Sequence, residues 1–199
     1  MTPSTPFKTS LPDKTRIAAQ VLLDHAKTME QGIYDQVEAI LEVTKEIDDL
    51  QAKVEQGEKK ESYRDIEGLI KLTALRRAVE LANAERLKRE AHLNNLTEGT
   101  GDVGFLAQEM RSVVGPLVEV VTQQALPILR PFYTSDHEAK LAFQQSSLGF
   151  SFVSAASSAS LLVHGSRKSA IATVIQWMTN LLEYGTVVRF DPTARESKG

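Results

Sequence analysis

Between Ser10 and Gly57, apolar side chains recur every seven residues in two interleaved rows. Ala19, Ala26, Ile33, Ile40, Ile47 and Val54 form one row; Leu22, Met29, Gln36, Val43 and Leu50 form the other. Steps that alternate between three and four are the a and d positions of a heptad, which predicts a long amphipathic helix whose seam closes on a neighbouring helix. Only Gln36 is polar. Ser10 stands where a cap is needed, Pro12 falls in the first turn, and Asp13 places a carboxylate near the orphan amides. At the other end Gly57 predicts a left-handed C-cap, and the charged EKKES after it a turn.

A second helix is predicted over 62–96, with Ile66, Leu69, Leu72, Leu75, Val79, Ala82 and Leu87 spaced mostly by threes and fours. A turn this short between two long helices makes them antiparallel, and at about 1.5 Å per residue the longer one extends about 65 Å. The polar, glycine-rich TEGTGDVG of 97–104 then reads as a linker.

Beyond it the composition becomes rich in Val and Leu. Phe105 to Arg130 predicts a helix broken at Gly115-Pro116, with a second short helix kinked by Pro127; a strand through LVEVV is the competing reading. Ser135 and Glu138 have the capping-box spacing, and the helix they start runs on through the serine-rich stretch. There Leu141, Leu148, Phe152, Ala155, Ala159 and Leu162 share one face, the signature of a helix buried among others. Gly165 ends that helix, Ser166 caps the next, and Ala170 to Leu182 forms a last amphipathic helix anchored by Trp177. TVVRF, 186–190, has the composition of one short strand.

Leu141 to Val163 is 23 uncharged residues, long enough for a membrane span. Seven of them are serine and two glutamine, however, and hydroxyls and amides facing lipid argue against insertion. Charge changes little else: the formal net charge is -3, which supplies no field for nucleic acid or anionic lipid. Its distribution says more. The first helix from Asp13 to Glu61 carries twelve acidic and seven basic residues, while Lys71, Arg76, Arg77, Arg86, Lys88 and Arg89 outnumber the acids around them in the second. Opposite excess favours pairing of the two arms, and the basic run offers a weaker alternative as a nucleic-acid contact. No aromatic residue interleaves it to stack bases.

Candidate chemistry is sparse. The chain has no cysteine, which removes disulfides, thiolate metal sites and a cysteine nucleophile and fits a reducing compartment. His25, His92, His137 and His164 have no spacing that sets two ligands on one helical face, and no GxSxG elbow is present. In HGSRKSA, Arg167 and Leu162 stand where a Walker loop needs glycine, so no nucleotide cradle is predicted. Arg167 and Lys168 at a helix start leave room only for a weakly held anion.

The expected protein is all-α: a leader over 1–9, an antiparallel coiled-coil hairpin over 10–96, a linker over 97–104, a compact helical bundle over 105–190 and a tail over 191–199. Val21, Val37 and Leu41 would be wet in an isolated hairpin, and that predicts a cover: the bundle, a second copy or a partner helix. The functional expectation is a non-enzymatic, cytoplasmic assembly protein with no cofactor, metal or membrane insertion. Its interaction seam would be Leu22, Met29, Ile33, Ile40, Val43, Ile47, Leu50 and Val54. An enzyme assembled from scattered residues is the third class, and no motif supports it.

Overall fold

A computed structural model describes residues 6–7, 12–61, 64–99, 101, 103–145, 147–184 and 188–189. The protein is all-α. Among the described residues the helical segments are α1 Asp13–Lys59, α2 Ile66–Glu98, α3 Val103–Leu129, α4 Asp136–Gln145, α5 Ser147–Leu161 and α6 Arg167–Tyr184. Short 3-10 turns at Arg130–Phe132 and Leu162–His164 close α3 and α5. A two-residue antiparallel pairing joins Pro6–Phe7 to Val188–Arg189. The expected leader and tail, the cap at Ser10 and the helix start at Ser62 lie outside the described residues.

The chain forms two compact units, Met1–Met29 with Thr100–Gly199, and Glu30–Gly99. In the first, α3 is the central element and packs against α4, α5 and α6. Its buried positions, Val103, Leu106, Ala107, Met110, Val113, Val114 and Leu117, then Ala125, Leu126 and Leu129, recur at helical spacing. The expected break at Gly115-Pro116 is absent, as is the alternative strand through LVEVV, because α3 runs unbroken past both prolines. An interior proline costs about 3 kcal/mol. Here Val113, Val114 and Leu117 are buried around Pro116 and offset that cost, while Ser112 and Pro116 are exposed, where water reaches the freed carbonyl. Thr122, the one buried polar residue among those described, donates its hydroxyl to the Val118 carbonyl one turn back.

The serine-rich helix is not the centre that its composition suggested. Over 154–161 it buries Ala155 and Ala159 and exposes Ser157, Ser160 and Leu161, so it is a one-sided helix. Leu141, expected on the buried face, is exposed; Ala139, Ala142 and Phe143 are buried in its place. Leu148 and Phe152 fall outside the described side chains. Residue 146, between α4 and α5, lies outside the described residues, so the expectation of one continuous helix is met on either side of it.

The start of α4 follows the capping prediction. The Glu138 amide donates to Ser135 Oγ at 3.2 Å, and the Glu138 carboxylate accepts from the Thr134 amide at 3.1 Å and from its hydroxyl. Arg130 clamps the turn before it with two hydrogen bonds to Asp136, 2.8 and 3.0 Å. Both carboxyls lie below their ordinary range: Asp136 through its hydrogen bonds from Arg130, Glu138 through those from Thr134.

In Glu30–Gly99, α1 continues through Gly57 to Lys59, and no glycine has a positive φ. The expected glycine C-cap is therefore wrong; the left-handed residue of this turn is Glu61, with φ 54°. Gly57 serves packing instead, since a Cβ there would sit 3.3 Å from Leu72 Cδ1. Asp65 caps α2, accepting from the Gly68 amide at 2.5 Å. Around Gly32 a Cβ would meet nothing within 4 Å, so this glycine marks no close helix crossing.

Gly32→Ala is expected to stabilise the protein by up to about 1 kcal/mol, read as a higher urea midpoint at unchanged slope; a lower midpoint would show a hidden backbone requirement. Because Asp136 and Glu138 are depressed in the folded state, their stabilisation is present above the ordinary carboxyl range and is lost as pH falls through the lowered folded values. Asp136→Asn/Glu138→Gln is accordingly expected to flatten the acid side of the thermal-stability profile below about pH 4, whereas an unchanged slope would deny these groups a role.

Candidate functional site

Most of the residues expected to form an interaction seam lie in Glu30–Gly99, so the candidate site is built from its two helices. On α1 each a and d position is buried or half-buried: Leu22, Ile33 and Ile47 are buried, and Met29, Ile40, Val43, Leu50 and Val54 are half-buried. Leu22 and Met29 belong to the other compact unit, so the seam within this one starts at Ile33.

On α2, Leu72, Leu75, Val79, Ala82, Arg86, Arg89, Leu93 and Leu96 are buried or half-buried, with Ala78, Asn83, Glu85, Glu90 and Thr97 half-buried beside them. The first eight are spaced three, four, three, four without interruption, a heptad that two arginines disguise. Of the residues expected on this face, Ile66, Leu69 and Leu87 instead point to solvent at 80%, 48% and 61% exposure. Reading Arg86 and Arg89 as interior positions would have given the register from sequence.

Contacts between the two helices include one from d to a, one from d to d and one from e to e. Gly57, at d, meets Leu72, at a. Gln36, at d, donates through Nε2 to the Arg89 carbonyl at 3.3 Å. Glu58 and Arg76, both at e, form an ion pair at 2.6 Å. The e positions of α1 and α2 therefore share one side of the pair. Arg86 and Arg89 are half-buried with carboxylates of their own helix beside them: Arg89 Nε lies 3.0 Å from Glu85 and Arg86 Nε 3.6 Å from Glu90. The angles leave both buried Nε–H groups without a hydrogen bond, a loss that packing around the aliphatic stems partly offsets.

The six basic residues singled out in the sequence do not make one face. At about 100° per residue they fall roughly at 0° for Lys71 and Arg89, 60° for Arg86, 140° for Arg76, 240° for Arg77 and 260° for Lys88. Five are also engaged in ion pairs: Lys71 with Glu67, Arg76 with Glu58, Arg77 with Glu80, Arg86 with Glu90 and Arg89 with Glu85. An open cleft of about 610 Å³ at the turn sets Lys53, Lys60 and Lys71 against Glu61, Asp65 and Glu67, so its charges cancel.

Elsewhere the chemistry-bearing residues stay apart. His92, His137 and His164 are exposed, and His25 packs edge-on against Phe105, ring centres 6.0 Å apart. Among the described residues no three His, Asp or Glu side chains group to hold a metal. Ser166 caps α6 by accepting from the Ser169 amide at 3.3 Å, and Arg167 turns to the Gly101 carbonyl at 3.0 Å. A Cβ at Gly101 would come within 2.8 Å of that guanidinium. Among the described residues one 18-residue window within Ile66–Phe132, mean hydropathy 1.3, is long and apolar enough to cross a membrane by length and composition; 41% of it is buried in the protein.

No protein-family model, curated protein or solved structure matches this chain.

Replacing Arg86 and Arg89 with leucine removes two strained donors and adds apolar area at half-buried positions. The double variant is expected to gain on the order of 1 kcal/mol in denaturant unfolding; a loss would show that the two arginines themselves stabilise the pair.

Proposed function

We propose that this protein is a non-enzymatic assembly protein, that Glu30–Gly99 is an antiparallel coiled-coil hairpin, and that the hairpin associates through its remaining apolar surface. One observation carries the reading. Among the described residues, this 70-residue unit buries four apolar side chains, Ile33, Ile47, Leu72 and Ala82, against twenty-five in the other unit. A core that small is marginal for an independent fold, and helix pairs of this kind gain stability by covering a second face.

A consistent register and an exposed flank support it. Anchored on Gly57 and Leu72, an antiparallel register pairs Val54 with Leu75, Leu50 with Val79 and Ile47 with Ala82. It continues with Val43 and Arg86, Ile40 and Arg89, Gln36 and Leu93, and Ile33 and Leu96. Every pair sets an a position against a d position, and the large Ile47 meets the small Ala82. The flank of α1 also keeps apolar side chains in water: Tyr34, Val37 and Leu41 are 59%, 39% and 64% exposed. Isolated exposed apolar residues are ordinary, but a row on one helix face asks for cover.

The nucleic-acid alternative has less behind it, since its cations are dispersed around α2 and mostly paired. Ile40→Asp/Ile47→Asp is expected to abolish assembly together with the helicity of Glu30–Gly99, because a carboxylate at the Ile47 position is buried without a partner. Arg76→Glu/Arg77→Glu loses only exposed pairs worth about 0–1 kcal/mol each and should alter assembly modestly. Light scattering with circular dichroism measures both. DNA or RNA binding that falls steeply with salt and disappears on the arginine reversal would replace this reading with the nucleic-acid one.

A further inference from the structure

We propose that Arg167 is a latch: its guanidinium closes over Gly101 and fastens the chain just ahead of α3 to the start of α6. Gly101 and Arg167 both belong to the unit formed by Met1–Met29 and Thr100–Gly199, so the proposal is independent of the coiled-coil and assembly readings.

Two residues that local chemistry disfavours meet at this point. The first turn of a helix faces the positive end of its dipole and favours carboxylates, yet α6 opens on Arg167 and Lys168 and has no acid there. The helix end does not need Arg167 for capping, because Ser166 Oγ already accepts from the Ser169 amide at 3.3 Å. Glycine at 101 is the second. It gives up more conformational freedom on folding than any other residue, and the common reason for it is a positive φ. Among the described residues no glycine has one.

A single contact accounts for both. Arg167 Nε donates to the Gly101 carbonyl at 3.0 Å, across 66 positions of sequence, and so turns the cation from the helix end onto an acceptor. A charged donor makes such a bond stronger than a neutral pair. Space accounts for the glycine: a Cβ at 101 would lie 2.8 Å from Nη2 and 4.0 Å from Cζ of Arg167. The guanidinium therefore occupies the place where any other residue would carry its side chain. Arg167 is half-buried in this position, whereas Lys168 beside it is exposed.

The place of the latch gives it a role. Gly101 stands two residues before the buried Val103, where α3 begins, and two beyond Gly99, the last residue of the other unit. α3 is the rod against which α4, α5 and α6 pack. Fastening the chain here secures the first turn of that rod to the bundle at the point where the chain enters it. Opening requires only that one side chain swing away, so the segment can be released without unpacking the core.

Gly101→Ala separates a latch from a general structural requirement, because the atom its Cβ meets is the tip of a flexible side chain that can move aside. In the full-length chain, hydrogen exchange corrected for intrinsic rates is expected to quicken about fivefold in peptides covering 99–110, both in Gly101→Ala and in Arg167→Ala. The double variant should exchange no faster than either single one. The urea midpoint of Gly101→Ala should stay at or above that of the unsubstituted chain, since alanine also restricts the unfolded state. Unchanged exchange in Gly101→Ala, or a double variant whose acceleration is the product of the two single ones, would overturn the latch. A lowered midpoint with faster exchange in every helix would overturn it as well, by showing that the whole fold requires glycine there.

Discussion

The constraint on which the rest depends is how little Glu30–Gly99 can bury by itself. Two helices meet along one line, so each heptad contributes two inward positions and leaves five to water. Ile33 and Ile47 on α1 and Leu72 and Ala82 on α2 are the only described side chains of this unit that reach full burial. Every other inward residue remains half-exposed, Arg86 and Arg89 among them. That thin line accounts for the local devices around it: Gly57 gives up a side chain so that Leu72 can approach, Asp65 caps α2, and Glu61 takes a left-handed conformation to turn the chain. It also makes the uncovered Tyr34, Val37 and Leu41 meaningful, because this unit lacks the reserve that lets a larger core ignore wet apolar area.

The other unit solves the same problem differently. α3 buries residues around much of its circumference and so becomes a central rod against which α4, α5 and α6 pack. Packing on several sides explains why Pro116 and Pro127 do not break it, while over 154–161 α5 sets Ala155 and Ala159 inside and Ser157 and Ser160 in water. One unit is self-sufficient in apolar contact and the other is not, which is the physical asymmetry behind the proposed assembly role.

Much of this was legible in the residues. The heptad of α1 from Ile33 to Val54 and the Ser135–Glu138 cap follow from spacing alone, because local periodicity and capping geometry are local properties. What was misread involves tertiary context. Gly115-Pro116 carries a strong local breaking signal, yet the burial of its neighbours lies outside any sequence window. Arg86 and Arg89 read as solvent charges in the sequence, yet both are half-buried, as long aliphatic stems allow. Ile66, Leu69 and Leu87 read as inward residues because they are apolar, and all three are exposed. The candidate site was thus half visible: the α1 row stood out, and its α2 counterpart required knowing which arginines turn inward.

The central claim, the antiparallel a-to-d register between α1 and α2, is tested most directly by pulsed electron resonance between nitroxides at exposed positions, with labelled chain diluted in unlabelled chain. Labels at Lys45→Cys and Ala84→Cys stand level in that register, while Lys45→Cys and Ile70→Cys are offset by about 20 Å along the axis. The account predicts a clearly shorter distance for the first pair than for the second. Equal distances, or a shorter second one, would contradict it.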